Sequence, residues 1–254
     1  MKKILIVILL AFVVLFGVSI LLKNLSLRRI TARLVSLNTA EIKELHYRLN
    51  MLGFIPVGEA VIYKEIPEEY DGRKMYHLNA SAFTYNVFSG FFSGKAEVDS
   101  FVDTTSLNPV VFRQKLFVKN KYDITKEVFY DQSLGVMTIA GVKRIIPPGT
   151  KDPLSVLLYL RRMDPQGLKE FDININTNQK TYSLKGGGEI NSKSINEKPY
   201  QLIKLKADIR RRDKNPYHRS SLSMLLVRVS ENIPVKIDVF SGGFFLEAVL
   251  MDIR

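Results

Sequence analysis

The chain has 254 residues, no cysteine and a formal net charge of +12, so disulfides, thiolate metal sites and cysteine nucleophiles are excluded. Residues 1–33 contain six Lys or Arg and no acid, residues 200–219 contain seven basic and two acidic residues, and the rest holds 24 basic and 23 acidic residues. Because most of the chain is nearly neutral, the composition argues against nucleic-acid binding, which uses a broad basic face.

Residues 4–22, ILIVILLAFVVLFGVSILL, form an uncharged run between Lys3 and Lys23. As a helix rising about 1.5 Å per residue, this run would reach roughly 28 Å, close to the ~30 Å apolar thickness of a bilayer. We predict that residues 1–23 form an uncleaved inner-membrane anchor. A cleaved signal peptide is the alternative, although its apolar core is normally shorter and no Ala-x-Ala site follows here.

Residues 24–44 are predicted to form a juxtamembrane stalk helix, because Leu27, Ile30, Leu34 and Leu37 recur at helical spacing. From residue 45 the apolar residues instead recur every second position, as in strands. The predicted strands are 47–51, 59–66, 75–89, 93–103, 110–119, 121–131 and 136–146, with a hairpin loop at 67–74. Consecutive strands without intervening helices predict an antiparallel meander that curves into a barrel or sandwich.

One helix is predicted to interrupt the strands. Asp152 is a good N-cap and Pro153 suits the first helical position, while Arg161 and Arg162 lie in the last turn. The helix runs to about Met163 and is apolar on a broad face. We therefore expect it to fill the concave side of the sheet.

Strands then resume at 171–176, 180–194, 200–210, 223–229, 233–240 and 244–253, and Gly186–Gly188 predicts a bulge or bend. The predicted fold is mainly β. It is a curved antiparallel sheet or half-open β-barrel over residues 45–254, with one short helix in its concave side and an N-terminal transmembrane helix.

Four motifs follow one another along the chain. They are Tyr47-x-Leu-x-x-Leu-Gly53 with Gly58 beyond it, a strand before Asn108-Pro109, Asp152-Pro-Leu-Ser155 with Leu158-Tyr-Leu-Arg161, and Ser230-Glu-Asn-Ile-Pro-Val-Lys-Ile237. In order and spacing they resemble a bacterial family of exported proteins, the domain-of-unknown-function family numbered 3108, over roughly residues 45–250.

The chain departs from this family at two places. Arg228-Val229 stands where a tryptophan usually precedes the serine, and Glu231-Asn232 stands where an acidic pair is frequent. The resemblance implies export, an antiparallel β fold similar to periplasmic lipoprotein carriers, and a domain in the periplasm or extracytoplasmic space. It assigns no catalytic residue.

No catalytic or metal motif is present. His46, His77 and His218 lack metal-site spacing, and no serine lies in Gly-x-Ser-x-Gly. We therefore expect a non-enzymatic protein with no cofactor and no metal. A glycan hydrolase stays a third alternative, because carboxylates such as Asp99 and Asp103, or Glu65 with Glu68 and Glu69, can pair in space.

The leading hypothesis is an apolar groove in the curved sheet that binds a lipid-like chain or an apolar segment of an envelope protein. Its predicted aromatic lining is Phe83, Tyr85, Phe112, Phe117, Tyr159 and Phe245. The basic stretch would bind anionic headgroups, since guanidinium groups pair well with phosphate; it comprises Arg210, Arg211, Arg212 and Arg219. The alternative is a structural scaffold whose solid sheet binds an envelope-protein partner through its surface.

Overall fold

The computed structural model of the chain describes residues 24–37, 42–85, 94–118, 121–177, 180–212 and 220–254. Within these residues, helix α1 spans 24–36, helix α2 spans Pro153–Arg162, and a single 3-10 turn spans Gly167–Lys169. The predicted anchor, residues 1–23, lies outside the described residues. No helix in the described part of the chain is both long and apolar enough to cross a bilayer.

Over the described ranges, fifteen strands form one antiparallel sheet. The strands before α2 are β1 (Glu44–Met51), β2 (Ile55–Tyr63), β3 (Ile66–Tyr70), β4 (Arg73–Thr84), β5 (Gly94–Asp103), β6 (Pro109–Val118), β7 (Lys121–Asp131), β8 (Val136–Ile139) and β9 (Val142–Ile145). Those after it are β10 (Phe171–Thr177), β11 (Lys180–Ile195), β12 (Lys198–Arg211), β13 (Ser220–Arg228), β14 (Asn232–Ser241) and β15 (Phe244–Ile253). Their order is β10-β11-β12-β13-β14-β15-β1-β2-β4-β5-β6-β7-β8-β9, with β3 also paired to β4.

The segment after β9 brings the two ends of this order together. Lys151 pairs with β10: its N–H donates to Asn174 O at 2.8 Å, and its carbonyl accepts from Asn176 N at 2.7 Å. Burial lowers the pKa of the Lys151 ammonium to about 8. The ammonium donates to three oxygens of the β5–β6 loop, Ser106 O, Leu107 O and Asn108 Oδ1. The predicted curved antiparallel sheet is thus confirmed, and its curvature is strong enough to make a barrel-like wall.

Helix α2 contacts both halves of the sheet. Leu154 and Leu158 pack with Leu78, Ala80 and Val102 of β4 and β5. On its other side, Leu160 joins the apolar cluster of β10–β13. A helix that touches both halves of one curved sheet lies within the curve, so α2 fills part of the hollow.

Helix α1 is shorter than predicted and is not a stalk. It ends at residue 36, and residue Glu44 already begins β1. Leu34 is fully buried, and it packs with Ile30 and Val35 into a core cluster that includes Tyr47 and Leu250. The described part of the predicted stalk is therefore part of the folded domain, because its apolar stripe packs on protein.

Two predicted segments are wrong in detail. The loop predicted at 67–74 contains strand β3, whose Glu68 and Glu69 hide the alternation typical of strands. The single strand predicted at 136–146 is instead the β8–β9 hairpin. Its turn residues Ala140 and Gly141 have φ of 47° and 78°, and alanine there gives no local signal for such a turn.

A bulge or bend was predicted at Gly186–Gly188, and no bulge occurs there, because β11 pairs through all three glycines with β12 without a register shift. The glycines instead allow close packing. A Cβ on Gly187 would lie 2.1 Å from Lys169 O in the 3-10 turn. The missing side chain lets that turn rest directly on the strand.

Replacing Gly187 with alanine should therefore lower the free energy of unfolding by about 1–3 kcal/mol, since the new methyl group meets fixed backbone. Urea denaturation measures this loss. The matched control is Gly94→Ala, whose Cβ would meet Phe117 O at 3.3 Å and nothing closer. A Gly187→Ala loss no larger than that of Gly94→Ala would contradict the packing role.

Candidate functional site

We call one end of the hollow the open end and define it by the strand termini Met51, Thr84, Val118 and Ser241. Nearer the opposite end, α2 covers inward-facing Leu78 and Ala80. Further along the same face, Ala82 pairs with Ala96, Ala96 pairs with Leu116, and all three are half-buried. At the open end, therefore, these apolar side chains are covered by neither of the two described helices.

A cavity of about 240 Å³ opens beside the first residue of α2. One row of paired residues, Phe112, Val128 and Ile139, forms its apolar floor. The next row toward the open end is formed by Val98, Gln114 and Lys126. Drug-sized ligands occupy pockets of about 300–1,000 Å³, so this volume suits a slender chain.

The polar rim of the cavity is only partly occupied by internal bonds. Asn176 accepts from Tyr130 Oη at 3.3 Å and donates to Lys180 O at 3.1 Å. Gln114 and Lys126 face each other across β6 and β7, and neither side chain bonds to any other described residue. An ammonium and an amide that have no partner in the described part of the chain, above an apolar floor, can hold the anionic or polar head of a chain-like molecule.

The start of α2 is fixed by a buried capping box. Asp152 accepts from Leu154 N at 2.7 Å and Ser155 N at 2.9 Å, while Ser155 Oγ accepts from Asp152 N at 2.8 Å. Ser100 Oγ of β5 also donates to Asp152 at 2.5 Å. Burial raises the pKa of Asp152. The predicted N-cap is confirmed, and it also joins the helix to the sheet.

The last turn of α2 carries buried ion pairs that the sequence analysis did not predict. Arg161 donates to Glu65 at 3.3 Å and to Glu231 at 2.8 Å, and Arg162 donates to Glu65 at 2.8 Å. The Arg162 guanidinium lies 4.2 Å from the centre of the Tyr76 ring. Burial acts to raise the pKa of Glu65, but the charges and hydrogen bonds of the two arginines outweigh it and hold this pKa below 4.5.

Asn232 completes the end of α2. Its amide donates to Leu160 O at 2.9 Å and to Met163 O at 2.7 Å, and its own oxygen accepts from Arg228 at 3.1 Å. Arg228 and Asn232 together therefore bind the end of α2 to the β13–β14 turn.

The six aromatic residues predicted to line a groove lie at separate places. Phe83, Lys95 and Phe117 follow one another in register on the face of the sheet opposite to Phe112. Tyr85 lies beside Phe83, with ring centres 6.3 Å apart, and donates to Glu59 at 2.9 Å. Of the six, only Phe112 lines the cavity. Side chains alternate between the two faces of a strand, so aromatic residues that are close in the sequence can lie on opposite faces of the sheet.

The remaining two aromatic residues have local packing partners. Lys151 Nζ lies 4.7 Å from the centre of the Tyr159 ring on α2. Phe245 packs against Gly53, where an added Cβ would lie 3.0 Å from its ring.

The cavity residues Gln114 and Lys126 were not predicted from the sequence, because a polar residue among strand residues gives no local sign that it faces inward.

The basic stretch lies at the end of β12. Arg210 pairs with Asp208 at 3.1 Å, and Arg212 approaches Asp172 at 4.0 Å. Both pairs are exposed, and such pairs contribute little to stability. Arg219 lies outside the described residues.

Asp99, Asp103, Glu65 and Glu68, four of the five carboxylates considered for glycan chemistry, have other partners. Asp99 bonds to His77 and Asn79, and Asp103 accepts from the turn at Thr105 and Ser106. Glu65 forms the ion pairs with Arg161 and Arg162 that are described above. Among the described residues, no group of three or more His, Asp or Glu could hold a metal ion.

Comparison with known proteins identifies relatives by family and by fold. A family model described as a protein of unknown function (DUF3108) matches residues 44–248. A crystal structure of a beta-barrel-like protein of the domain of unknown function DUF1849 from Brucella abortus matches with a TM-score of 0.56 and 13% identity, covering 84% of this chain and 97% of that chain. At this identity the likeness shows the fold alone. No curated protein matches the chain.

Proposed function

The chain belongs to the DUF3108 family, and from this premise we propose that its domain is a non-enzymatic cell-envelope protein that binds an anionic amphipathic molecule. The apolar chain of the ligand enters the cavity at the open end, and its head pairs with Lys126 and Gln114. The mechanism is sequestration of apolar surface from water, without chemical change.

The observation that carries this proposal is the rim of the cavity. An ammonium that has no partner among the described residues and lies over buried Phe112, Val128 and Ile139 is paired best by an external anion with an apolar tail. The half-buried alanines beyond it leave room for the chain to continue toward the open end.

The uncharged run at residues 4–22 supports the location. In this proposal it holds the domain at the inner membrane, with the domain in the periplasm. Tethering keeps a lipid-binding domain close to its source of ligand.

Binding is tested with the full chain in phosphatidylcholine nanodiscs, after subtraction of empty nanodiscs. Titration with a fluorescent fatty acid should give saturable binding, and Lys126→Gln should weaken it about tenfold, since a charge-assisted hydrogen bond is lost. The neutral alcohol analogue of the probe should bind both proteins alike.

The matched control is Lys115→Gln, because Lys115 is an exposed lysine on the neighbouring strand. Equal affinities of the Lys126→Gln and Lys115→Gln proteins for the fatty acid would contradict the assigned head site. Native mass spectrometry of the wild-type protein should also detect co-purified anionic lipid.

A structural scaffold is the second candidate. The observation in its favour is the dense packing of α2, where Leu158 and Leu160 are almost fully buried and both helix ends are capped. This candidate expects one defined envelope-protein partner on crosslinking and no saturable binding of the fatty acid.

A further inference from the structure

The open end carries several exposed apolar side chains, which lie at the β1–β2 and β14–β15 turns and at the strand residues beside them. The β1–β2 turn packs on the start of β15, with Leu52 N donating to Phe245 O at 2.9 Å. Phe244 is 66% exposed, Leu52 is 54% exposed and Phe240 is 43% exposed. We call this patch the aromatic rim; it comprises Leu52, Phe54, Phe240, Phe244 and Leu246. Large side chains exposed together at one end of a domain indicate a surface that binds something apolar.

Basic residues lie beside the rim. Phe240 pairs with Ser221, and Ser221 pairs with Asp208, so β12 lies two strands, or about 10 Å, from Phe240. Arg210, Arg211 and Arg212 continue β12 from Asp208 toward the open end. Lys95 and Lys180 also lie at strand ends there.

We propose that the aromatic rim and the adjoining Arg210–Arg212 dock onto an anionic lipid surface. Aromatic and aliphatic side chains enter the interface between headgroups and acyl chains, while arginines pair with headgroup phosphates. A second copy of the chain fits this end less well, because pairing two rims would bring two arginine clusters together.

The aromatic rim is distant from helix α1. Helix α1 packs on Leu45 and Ile253, and β15 runs from Phe244 at the rim to Ile253, nine steps of about 3.4 Å or about 30 Å in all. Helix α1 therefore packs near the end of the domain opposite to the rim.

The test uses the full chain in phosphatidylcholine nanodiscs, so that every variant carries the same N-terminal segment within a neutral bilayer. Binding is measured by surface plasmon resonance to immobilised vesicles of phosphatidylcholine alone or with one third phosphatidylglycerol. The wild-type protein should bind the anionic vesicles, and added salt should weaken binding.

Two variants separate the charged and apolar contributions. The triple variant Arg210→Gln, Arg211→Gln, Arg212→Gln should bind about a hundredfold more weakly, at about fivefold per charge. Phe240→Ser with Phe244→Ser should weaken binding about tenfold at any salt concentration. The matched control replaces exposed residues at the opposite end, Leu134→Ser with Lys193→Gln and Lys198→Gln, and should bind as the wild type.

Equal binding of the wild type to neutral and anionic vesicles would overturn the proposal, as would unchanged binding of both rim variants. Light scattering that shows a dimer lost in the rim variants, without vesicle binding, would assign the rim to a second copy. Circular dichroism confirms that each variant is folded. The fatty-acid titration of Lys126→Gln is independent of these results, so the two proposals fail separately.

Discussion

Replacing Glu65 with leucine is expected to lower the free energy of unfolding by about 3–5 kcal/mol, the cost of breaking a buried ion pair by removing one partner. Glu65 and Arg161 have side chains that are only 6% and 8% exposed. The substitution leaves Arg161 with Glu231 alone and removes the carboxylate partner of Arg162. Urea denaturation followed by circular dichroism measures the loss.

The same carboxylate gives an expected pH dependence. Its pKa is lower in the folded protein than its ordinary value of 4.5, so its contribution to stability is present above that value and is lost as the pH falls through the folded pKa. The stability difference between the wild type and Glu65→Gln should therefore be constant near neutral pH and should shrink in acid.

Glu69→Leu is the matched control, because Glu69 is an exposed carboxylate on strand β3. Its effect should stay within about 0.5 kcal/mol. A Glu65→Leu protein as stable as this control, or a Glu65→Gln difference that does not change in acid, would show that the ion pairs do not stabilise the end of α2.

Replacing Leu158 with alanine is expected to lower the free energy of unfolding by about 2–5 kcal/mol. Leu158 is 2% exposed and packs with Leu78, Ala80, Val102 and Leu154 between the helix and β4–β5. Close packing on both sides prevents the site from collapsing around the missing atoms, so the cavity remains. The urea midpoint should fall without a change in the slope of the transition.

Leu157→Ala supplies the comparison within the same helix, since Leu157 is half-buried and should cost less. If the two alanine proteins were equally stable, α2 would not be held mainly by its contacts with β4 and β5. The scaffold candidate and the ligand-binding candidate both require that contact, so this result would count against each.

The strands were predictable because alternation is a local property of the sequence. Nearly every strand from β4 onward was predicted within a few residues of its observed bounds, and the Asp152 cap of α2 was predicted from four consecutive residues. The misses have local causes as well. Glu68 and Glu69 mask β3, and Ala140 is an unusual turn residue between β8 and β9.

The candidate site was far less predictable. Phe83 and Phe112 were assigned to one groove, yet they lie on opposite faces because their strands pair in a register that no local pattern reveals. Lys126 and Gln114 meet only because β6 and β7 pair at those positions. Aromatic content predicts burial or binding in general, but it does not say which face a given ring takes.

The amino-acid sequence by itself determined an antiparallel β domain with one capped helix, since alternation and capping act between residues a few positions apart. Only the tertiary structure decided what surrounds that helix. Glu65 lies 96 positions from Arg161, Asn232 lies 72 positions from Leu160, and Phe240 is brought near Arg210 by two intervening strand pairings. Contacts at such separations depend on sheet register and curvature, which arise from the packing of the whole chain.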